Sequence, residues 1–453
     1  MRMITRTQLS RLGLFDAKVP RYTSYPTAPH FSNAVTGADF ARWIGAIPEN
    51  GQISLYLHVP FCRRLCWFCA CRTQGSASLS PVSAYVETLK TELDLLGAHL
   101  PPGVTLSRLH WGGGTPTLLA PDMMRGLIDK VRAVVPFAPG AEFSVEIDPN
   151  EIDEARLDAL AEGGMTRASI GVQDFDEQIQ QTIGRPQGFE ITRRAVEMIR
   201  ARGIASLNAD ILYGLPHQSR KRITETVQKL LSFAPDRVAL YGYAHVPWMA
   251  KRQQMIPSDA LPSPEQRLDL FDTARRLFEW DGYAGIGIDH FAVPDDGLAI
   301  AQKTGRLRRN FQGYTDDGSQ VLIGLGASSI SRFPQGYAQN APATSAYQGA
   351  VRGGRFATSR GHVFRGDDLL RARMIEMLMC DFQIRTQDLV RDFGTDPAML
   401  GALYERVAAQ FEGVPAPTHD GLFLRRDARP LVRMIARAFD SYDQTKAKHS
   451  SAT

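Results

Sequence analysis

The sequence has no run of about 18 consecutive apolar residues, which a helix would need to cross a bilayer, so no membrane span is expected. Its opening residues, MRMITRTQLSRLGLFDAKVP, lack the continuous apolar core of a signal peptide. Cysteine is scarce, with five in 453 residues. An odd, clustered set argues against a secreted disulfide framework. It points to a cytoplasmic protein with reduced thiols, the form that binds metal. A large excess of one charge is missing too. The net charge of +4 gives no broad field for nucleic acid, although RLRRN at 306–310 is a local cluster able to meet anions. Short repeats and long low-complexity runs are also lacking.

What is present is ordinary globular composition, 43% hydrophobic and 22% charged. The length passes the size at which one compact core stops growing, so one large domain with a smaller appended one is expected. From about 51 to 250 short apolar strands alternate with amphipathic helices. The strand candidates are 53–59, 108–111, 142–147, 167–172, 206–213 and 237–244. Helices are expected from Pro81 to about His99, with Ser80 as N-cap, and over 121–135, 151–163, 188–202 and 221–233. Six such β-α units in series predict an α/β fold with a parallel sheet, built as a partial or open barrel.

Residues 1–50 read as a leading arm, with PRYTSYPTAPH (20–30) extended on a surface. The catalytic part is expected over 51–365, a core of 51–250 plus an extension. That extension holds a helix at about 264–281 and two strand-like pieces, AGIGIDHFA and VLIGLGASSIS. Residues 366–453 read as a smaller, mainly helical C-terminal domain, loosely winged-helix-like. In it Leu369, Ala372, Ile375 and Met379 sit at helical spacing. The tail after about Tyr442 is polar and expected to fray.

Strand parity carries functional information, because successive residues face opposite sides. Glu142, Ser144, Glu146 and Asp148 share one face of their strand, as do Ser169, Gly171 and Gln173, and Asn208 and Asp210 of theirs. Tyr56 and His58 do the same. The apolar faces should meet the helices, so the polar ones should point into the barrel. An interior normally filled with branched apolar side chains would then be polar, which implies a polar ligand within. The bland alternative is a half-exposed sheet with one wet face.

HVPFCRRLCWFCACR (58–72) follows the first strand and holds Cys62, Cys66, Cys69 and Cys71. A structural zinc site needs a second ligand pair, and the remaining cysteine, Cys380, is isolated. A dithiol redox motif in CWFC leaves Cys62 and Cys71 without a task. Haem attachment needs a His where Ala70 stands. The third reading is an iron–sulfur cluster on three thiolates, with one iron open to a small chelating ligand. HWGGGTPT (110–117) follows the second strand; its glycines let backbone approach a ligand and free amides to face it, although a plain glycine turn reads the same way. Glu146 ends the third strand, where it could take a cationic amine or a surface salt bridge. Tyr56, Trp67 and Phe68 flank the cysteines and could exclude water.

C-x3-C-x2-C resembles the signature of the radical S-adenosylmethionine (SAM) enzymes. Taken with PRYTSYPTA, YLHVPFCRRLCWFCAC, LHWGGGTPT, SVEIDP, GVQDF, DILYGLP, YAHVP, DHFA and NFQGY, the chain resembles the oxygen-independent coproporphyrinogen III oxidases over nearly its whole length. The resemblance implies a partial (β/α)6 barrel of radical SAM type. It implies a 4Fe–4S cluster on Cys62, Cys66 and Cys69 with an open iron site, and two SAM molecules. By motif position Tyr56, Gly113, Glu146, Ala244 and Ile330 would touch the first SAM. Phe68, Gly114, Thr115, Gln173, Arg185 and Asp210 would hold the second. Phe311 and Gln312 would lie near the reacting centre, although NFQGY also reads as a turn. The implied reaction converts two propionates of coproporphyrinogen III to vinyls, giving protoporphyrinogen IX, through a radical that takes a hydrogen from the propionate β-carbon.

A carboxylate-rich substrate wants cations, and Arg21, Arg308 and Arg309 are the candidates. The family also implies an electron donor such as a flavodoxin; a monomer without nucleic-acid partner is expected. The alternative function is a haem-binding chaperone of the same superfamily, against which stand Cys71 and the PRYTSYPTA arm. Cys62→Ala, Cys66→Ala and Cys69→Ala are each predicted to lose the iron taken up on anaerobic reconstitution. Cys71→Ala is predicted to retain it, as iron per chain will show.

Overall fold

The computed structural model describes residues 3–442 and 449–453. Strands β1 (Gln52–Val59), β2 (Thr105–Gly113), β3 (Phe137–Ile147), β4 (Arg167–Gln173), β5 (Ser206–Tyr213) and β6 (Arg237–Gly242) lie side by side in chain order. All their pairings are parallel. The crossovers are α1 (Ser80–Gly97), α2 (Pro121–Val134), α3 (Glu154–Glu162), α4 (Phe189–Ala201) and α5 (Arg220–Leu231). Ser80 opens α1 instead of capping it, since the cap position falls on Leu79, one residue from the expectation. After α6 (Pro264–Trp280), the piece AGIGIDHFA folds as two short antiparallel strands, β7 (Ala284–Ile286) and β8 (His290–Ala292), at the β6 edge.

The chain then makes a tight hairpin of β9 (Arg308–Asn310) and β10 (Gly313–Thr315). β11 (Leu322–Leu325) returns to pair parallel with β1 on its free side. Its four residues are all buried, as a strand covered on both faces requires. Antiparallel strands β12 (Ile330–Phe333), β13 (Gly336–Asn340) and β14 (Thr358–Val363) extend that edge. β11 and β6 thus pair outward with antiparallel neighbours and not with each other, so the barrel is open, as expected.

The C-terminal elements run helix, strand, two helices, hairpin. They are α7 (Asp368–Asp381), β15 (Gln383–Arg385), α8 (Thr386–Phe393), α9 (Pro397–Gln410), β16 (Pro415–Thr418) and β17 (Gly421–Leu424). This is the element order of a winged helix. Leu369, Ala372, Ile375 and Met379 all lie on α7, as their spacing predicted. Leu369 is 40% exposed, while Leu370, Met374, Ile375, Met377, Leu378 and Met379 are buried. A helix buried over so much of its surface has no single apolar stripe to read.

The arm is no separate strap. Its Leu9, Leu14, Val19, Tyr22 and Tyr25 share one core with Met374, Leu378, Leu431 and Phe439. It holds a short helix, Arg6–Arg11, while PRYTSYPTAPH stays non-helical up to a single turn at Ala28–His30. The expected fraying after Tyr442 falls partly on residues 443–448, which lie outside those described, and is corrected for 449–453. Residues 449–453 pack back on the arm, with the Ala452 N–H donating to the Ala17 carbonyl at 2.8 Å.

One buried carboxylate pins the loop after β11. Glu92 on α1 is fully buried and accepts from the Gly326 N–H, the Tyr347 hydroxyl and Asn340 Nδ2, each at 2.7 Å. Burial pushes its carboxyl up to about 7. The same loop carries Ser328 to 3.5 Å from His58 Nε2. Glu92→Ala would strand all three donors, so it is predicted to destabilise the apoprotein by about 2–4 kcal/mol, seen as a lower melting temperature at pH 6.

Candidate active site

The C-terminal ends of the parallel strands open on a cavity of about 1120 Å³. This is where ligands sit in parallel α/β folds. Phe68 to Cys71 line it after β1, Tyr213 at the end of β5 and Tyr241 to Ala244 at the end of β6. The arm contributes Arg21 and the C-terminal part Arg433. Below it lies a polar chamber of about 210 Å³ lined by Glu142, Ser144, Glu146, Ser169, Asn208 and Asp210, the inward faces expected from parity. Tyr241, His290 and Gln312 border both spaces.

The cysteine loop is fastened on two sides. The Trp67 N–H donates to the Ile183 carbonyl at 2.9 Å, and Gln74 to that of Pro60 at 2.8 Å. Burial pushes the Cys62 thiol up to about 11, against hydrogen bonds from Thr115 and Thr73. Burial also raises Cys66, which Arg185 opposes through Nη1 at 3.4 Å from the sulfur. The Cys71 thiol holds Cys69 below its ordinary range, and Cys71 itself is pushed up by that partner. The Cys71 N–H adds a contact to Cys69 Sγ at 3.4 Å. Among the described residues no three His, Cys, Asp or Glu side chains converge as ligands of a single ion. Cys62, Cys66 and Cys69 place three soft thiolate donors on this one loop, a donor set that suits an iron–sulfur cluster.

The glycine run has a steric reason. A Cβ on Gly112 would lie 2.7 Å from the Glu146 carboxylate, one on Gly113 2.5 Å from the His58 ring, and one on Gly114 2.6 Å from the Phe61 carbonyl. The expectation of free amides is corrected here. The Gly113 N–H donates to Glu146 Oε2 at 2.9 Å, Gly114 to the Val59 carbonyl and Thr115 to that of Phe61, each at 2.8 Å. Close approach, and not a ring of open donors, is what the glycines provide. Burial works against the charge of Glu146. His110, 3.4 Å away, and the Gly113 N–H overcome that and hold the carboxyl below its ordinary range. Tyr56 stacks on His110 and reaches His58 Nδ1 at 3.0 Å. Beside Tyr56 in register lies Gly324, where a Cβ would meet the Ile330 carbonyl at 2.7 Å. Tyr56, Gly113, Glu146 and Ile330 are therefore brought to one floor, with Ala244 on the cavity wall.

Of the second group, Gln173 and Arg185 come together beside Gly171, whereas Asp210 lines the polar chamber with Glu146 and Phe68 lines the large cavity. Gln173 takes a left-handed φ of 68° at the end of β4, and its amide lies near Gly171 together with Arg185. Arg185 spans the Gly171 carbonyl at 3.1 Å, Asp148 at 3.2 Å and Cys66. Asp210 accepts from Asn208 Nδ2 at 2.9 Å, and burial pushes its carboxyl up to about 6. Phe311 and Gln312 form the two-residue tip of the β9–β10 hairpin, so the turn is what delivers them to the cavity. Of the basic candidates, Arg21 and Arg309 line the cavity and Arg308 does not. Its guanidinium turns to the Leu307 and Gly305 carbonyls. Neighbouring strand residues face opposite ways, so only one of the pair can reach the ligand.

Several site residues escaped sequence reading. Gln253, fully buried, donates to the carbonyls of Phe68 (2.6 Å) and Ala244 (3.1 Å), tying the cysteine loop to the β6 end. Arg252 holds Thr73. No pattern in KRQQM announces either. Arg108 and Arg167, which pair with Glu142 in the chamber, share inward parity with His110 and Ser169, so parity could have found them.

The radical SAM superfamily pattern matches residues 56–230. The chain is 66% identical over 450 residues to the oxygen-independent coproporphyrinogen III oxidase of Paracoccus denitrificans, covering 99% of this chain and 100% of that protein. With the protein of that name from Escherichia coli it shares 36% identity, over 97% of this chain and 96% of the other. Among solved structures, the coproporphyrinogen III oxidase from Escherichia coli, described as a radical SAM enzyme, matches with a TM-score of 0.90. The identity there is 34%, over 98% of this chain and 100% of that one.

Asp210 gives a pH test. Its folded-state pKa lies above the unfolded one, so ionisation costs stability as pH rises from about 4 through about 6, and the cost is complete above that. Asp210→Asn keeps an acceptor for Asn208 and cannot ionise. It is predicted to stabilise the apoprotein by roughly 1–2 kcal/mol at pH 8, with a smaller gain at pH 5, in denaturant titrations at both pH values.

Proposed function

The chain belongs to the oxygen-independent coproporphyrinogen III oxidases, a family of radical SAM enzymes, and from that membership we propose how its residues divide the reaction. It is an oxidoreductase of haem biosynthesis that oxidises coproporphyrinogen III without oxygen. The family implies a 4Fe–4S cluster and SAM. When bound, these would supply a 5′-deoxyadenosyl radical able to take a hydrogen atom from the β-carbon of a propionate; the substrate radical would then give one electron to an acceptor as its carboxylate leaves as CO2, and a vinyl group would remain.

In this proposal Cys62, Cys66 and Cys69 hold the cluster and leave one iron to SAM. Tyr56, Gly113, Glu146, Ala244 and Ile330 seat that SAM, with the ionised Glu146 facing its amine. Phe68, Gly114, Thr115, Gln173, Arg185 and Asp210 hold a second SAM, for which the left-handed Gln173 beside Arg185 is the support. Phe311 and Gln312 sit against the reacting carbon. Arg309 and Arg21 take propionates. Two propionates are converted, giving protoporphyrinogen IX. The work is read as falling to a catalytic part over 51–365, covered by the arm (1–50) and the C-terminal part (366–453), whose shared core supports their acting together. A cytoplasmic monomer fed by a flavodoxin-like donor completes the proposal.

The observation that carries the substrate reading is Arg309. Its guanidinium lies 4.5 Å over Tyr314, in the same cavity as Cys69, and its buried Nε and Nη1 have no hydrogen-bond partner. A buried cation with unspent donors fits a bound carboxylate. The relatives named above are oxidases by name, not haem carriers.

Anaerobic reconstitution followed by SAM, reductant and coproporphyrinogen III should yield 5′-deoxyadenosine and protoporphyrinogen IX, and absence of both would refute the assignment. Arg309→Ala is expected to raise KM for coproporphyrinogen by about tenfold or more, roughly 1.4 kcal/mol, with SAM affinity unchanged.

A further inference from the structure

The segment GIGID that leads into β8 places an acid in the cavity which the roles above do not use. Four carboxylates line the space: Asp272, Glu279, Asp289 and Asp427. Asp272 and Glu279 are paired with Arg275, Glu279 also with Arg426, and Asp427 with Arg425. Asp289 alone of these has no Lys or Arg within ion-pair distance among the described residues. One of its oxygens accepts from His290 Nδ1 at 2.8 Å. His290 is steadied in turn by Tyr241, whose hydroxyl lies 3.3 Å from Nε2, and by Tyr314, which meets the ring edge-on. The imidazole thus fixes the orientation of the carboxylate, which lines the cavity, and its other oxygen has no hydrogen-bond partner among the described residues. Burial opposes its charge, but the His290 hydrogen bond, with smaller help from Arg309 and Arg21, holds the carboxyl below the ordinary carboxylate range. Arg433 is spent on the carbonyls of Val19, Pro20, Ser451 and Ala452.

The cavity therefore presents an oriented, ionised carboxylate flanked by cations. A porphyrinogen is complementary to that layout, since its pyrrole N–H donors point to the centre of the ring and its propionates stand at the edge. We propose that Asp289 receives the pyrrole N–H groups of coproporphyrinogen while Arg309 takes a peripheral propionate, so that Asp289 selects the reduced macrocycle over the oxidised porphyrin. The oxidised ring is planar and offers fewer N–H donors, too constrained to converge on one carboxylate, whereas the reduced ring puckers freely. His290 is a positioning residue for Asp289. This inference rests on the cavity being the coproporphyrinogen site.

The test uses the reconstituted holoenzyme with SAM and compares anaerobic binding of coproporphyrinogen III and coproporphyrin III. Wild type should prefer the porphyrinogen. Asp289→Asn should weaken porphyrinogen binding by about tenfold or more and leave porphyrin binding nearly unchanged, with the cluster absorption spectrum and SAM affinity intact. Asp289→Glu keeps the charge and should retain a preference for the porphyrinogen, which supplies the test if the Asn variant fails to load cluster. Unchanged porphyrinogen affinity in Asp289→Asn, an equal loss for both tetrapyrroles, or loss of the preference in Asp289→Glu would overturn the role of Asp289. Failure of the wild type to bind either tetrapyrrole would instead overturn the reading of the cavity.

Discussion

Glu142 stands inside the barrel between two arginines, Arg108 at 3.0 Å and Arg167 at 2.5 Å, and Arg108 reaches on to Asp316 at 2.7 Å. A polar barrel interior is costly unless its groups find partners, and removing one member of such a set leaves a stranded charge. This ladder neutralises the lower half of the lumen with charges carried by adjacent strands. The upper half is then free to hold acids that are not neutralised by arginine. Glu146 is stabilised in its charged form by His110 and one backbone N–H, while Asp210 stays partly protonated near pH 6 because burial dominates there. Two carboxylates on strands separated by β4 thus differ in charge for local reasons, a common mark of functional sites.

The same crowding dictates the backbone above. Space that side chains at 112–114 would fill is taken by Glu146, His58 and the Phe61 carbonyl, so the β2 end lies directly against the cysteine loop. The loop is braced from three directions: Ile183 through Trp67, Thr115 through Cys62, and Gln253 through Phe68. Two of the braces, Ile183 and Gln253, come from residues to which no ligand contact is assigned. Rigidity of this kind keeps reacting atoms in register and costs no reordering when the ligand binds.

Much of this was legible beforehand. Six strands and their helices followed from hydrophobic periodicity, and the inward acids from parity. The misreadings have physical causes. Leu369 lies on α7 at its expected helical spacing yet is exposed, because α7 is buried over too much of its surface for one stripe to decide its burial. The glycines were credited with free amides because close packing and open donors demand the same residue. Arg308 and Arg309 are chemically alike in sequence, and only which face of the β9–β10 hairpin meets the cavity decides between them. Asp289 and Gln253 carry no motif at all; their meaning comes from neighbours far along the chain.

By itself the sequence determined the local chemistry: three thiols at spacings that one loop can present together, an alternation that turns acids inward, and a glycine run where the backbone must approach. These depend on short-range geometry, which a few consecutive residues set. The tertiary structure decided what those groups face. It opened the barrel by inserting β11 beside β1, and it joined arm and C-terminal helices into one wall. It also chose, among many arginines and aspartates, the few that end in the cavity with unspent hydrogen bonds. Long-range packing alone settles whether a charge is paired or left for a ligand, because the partner that would quench it lies far along the chain.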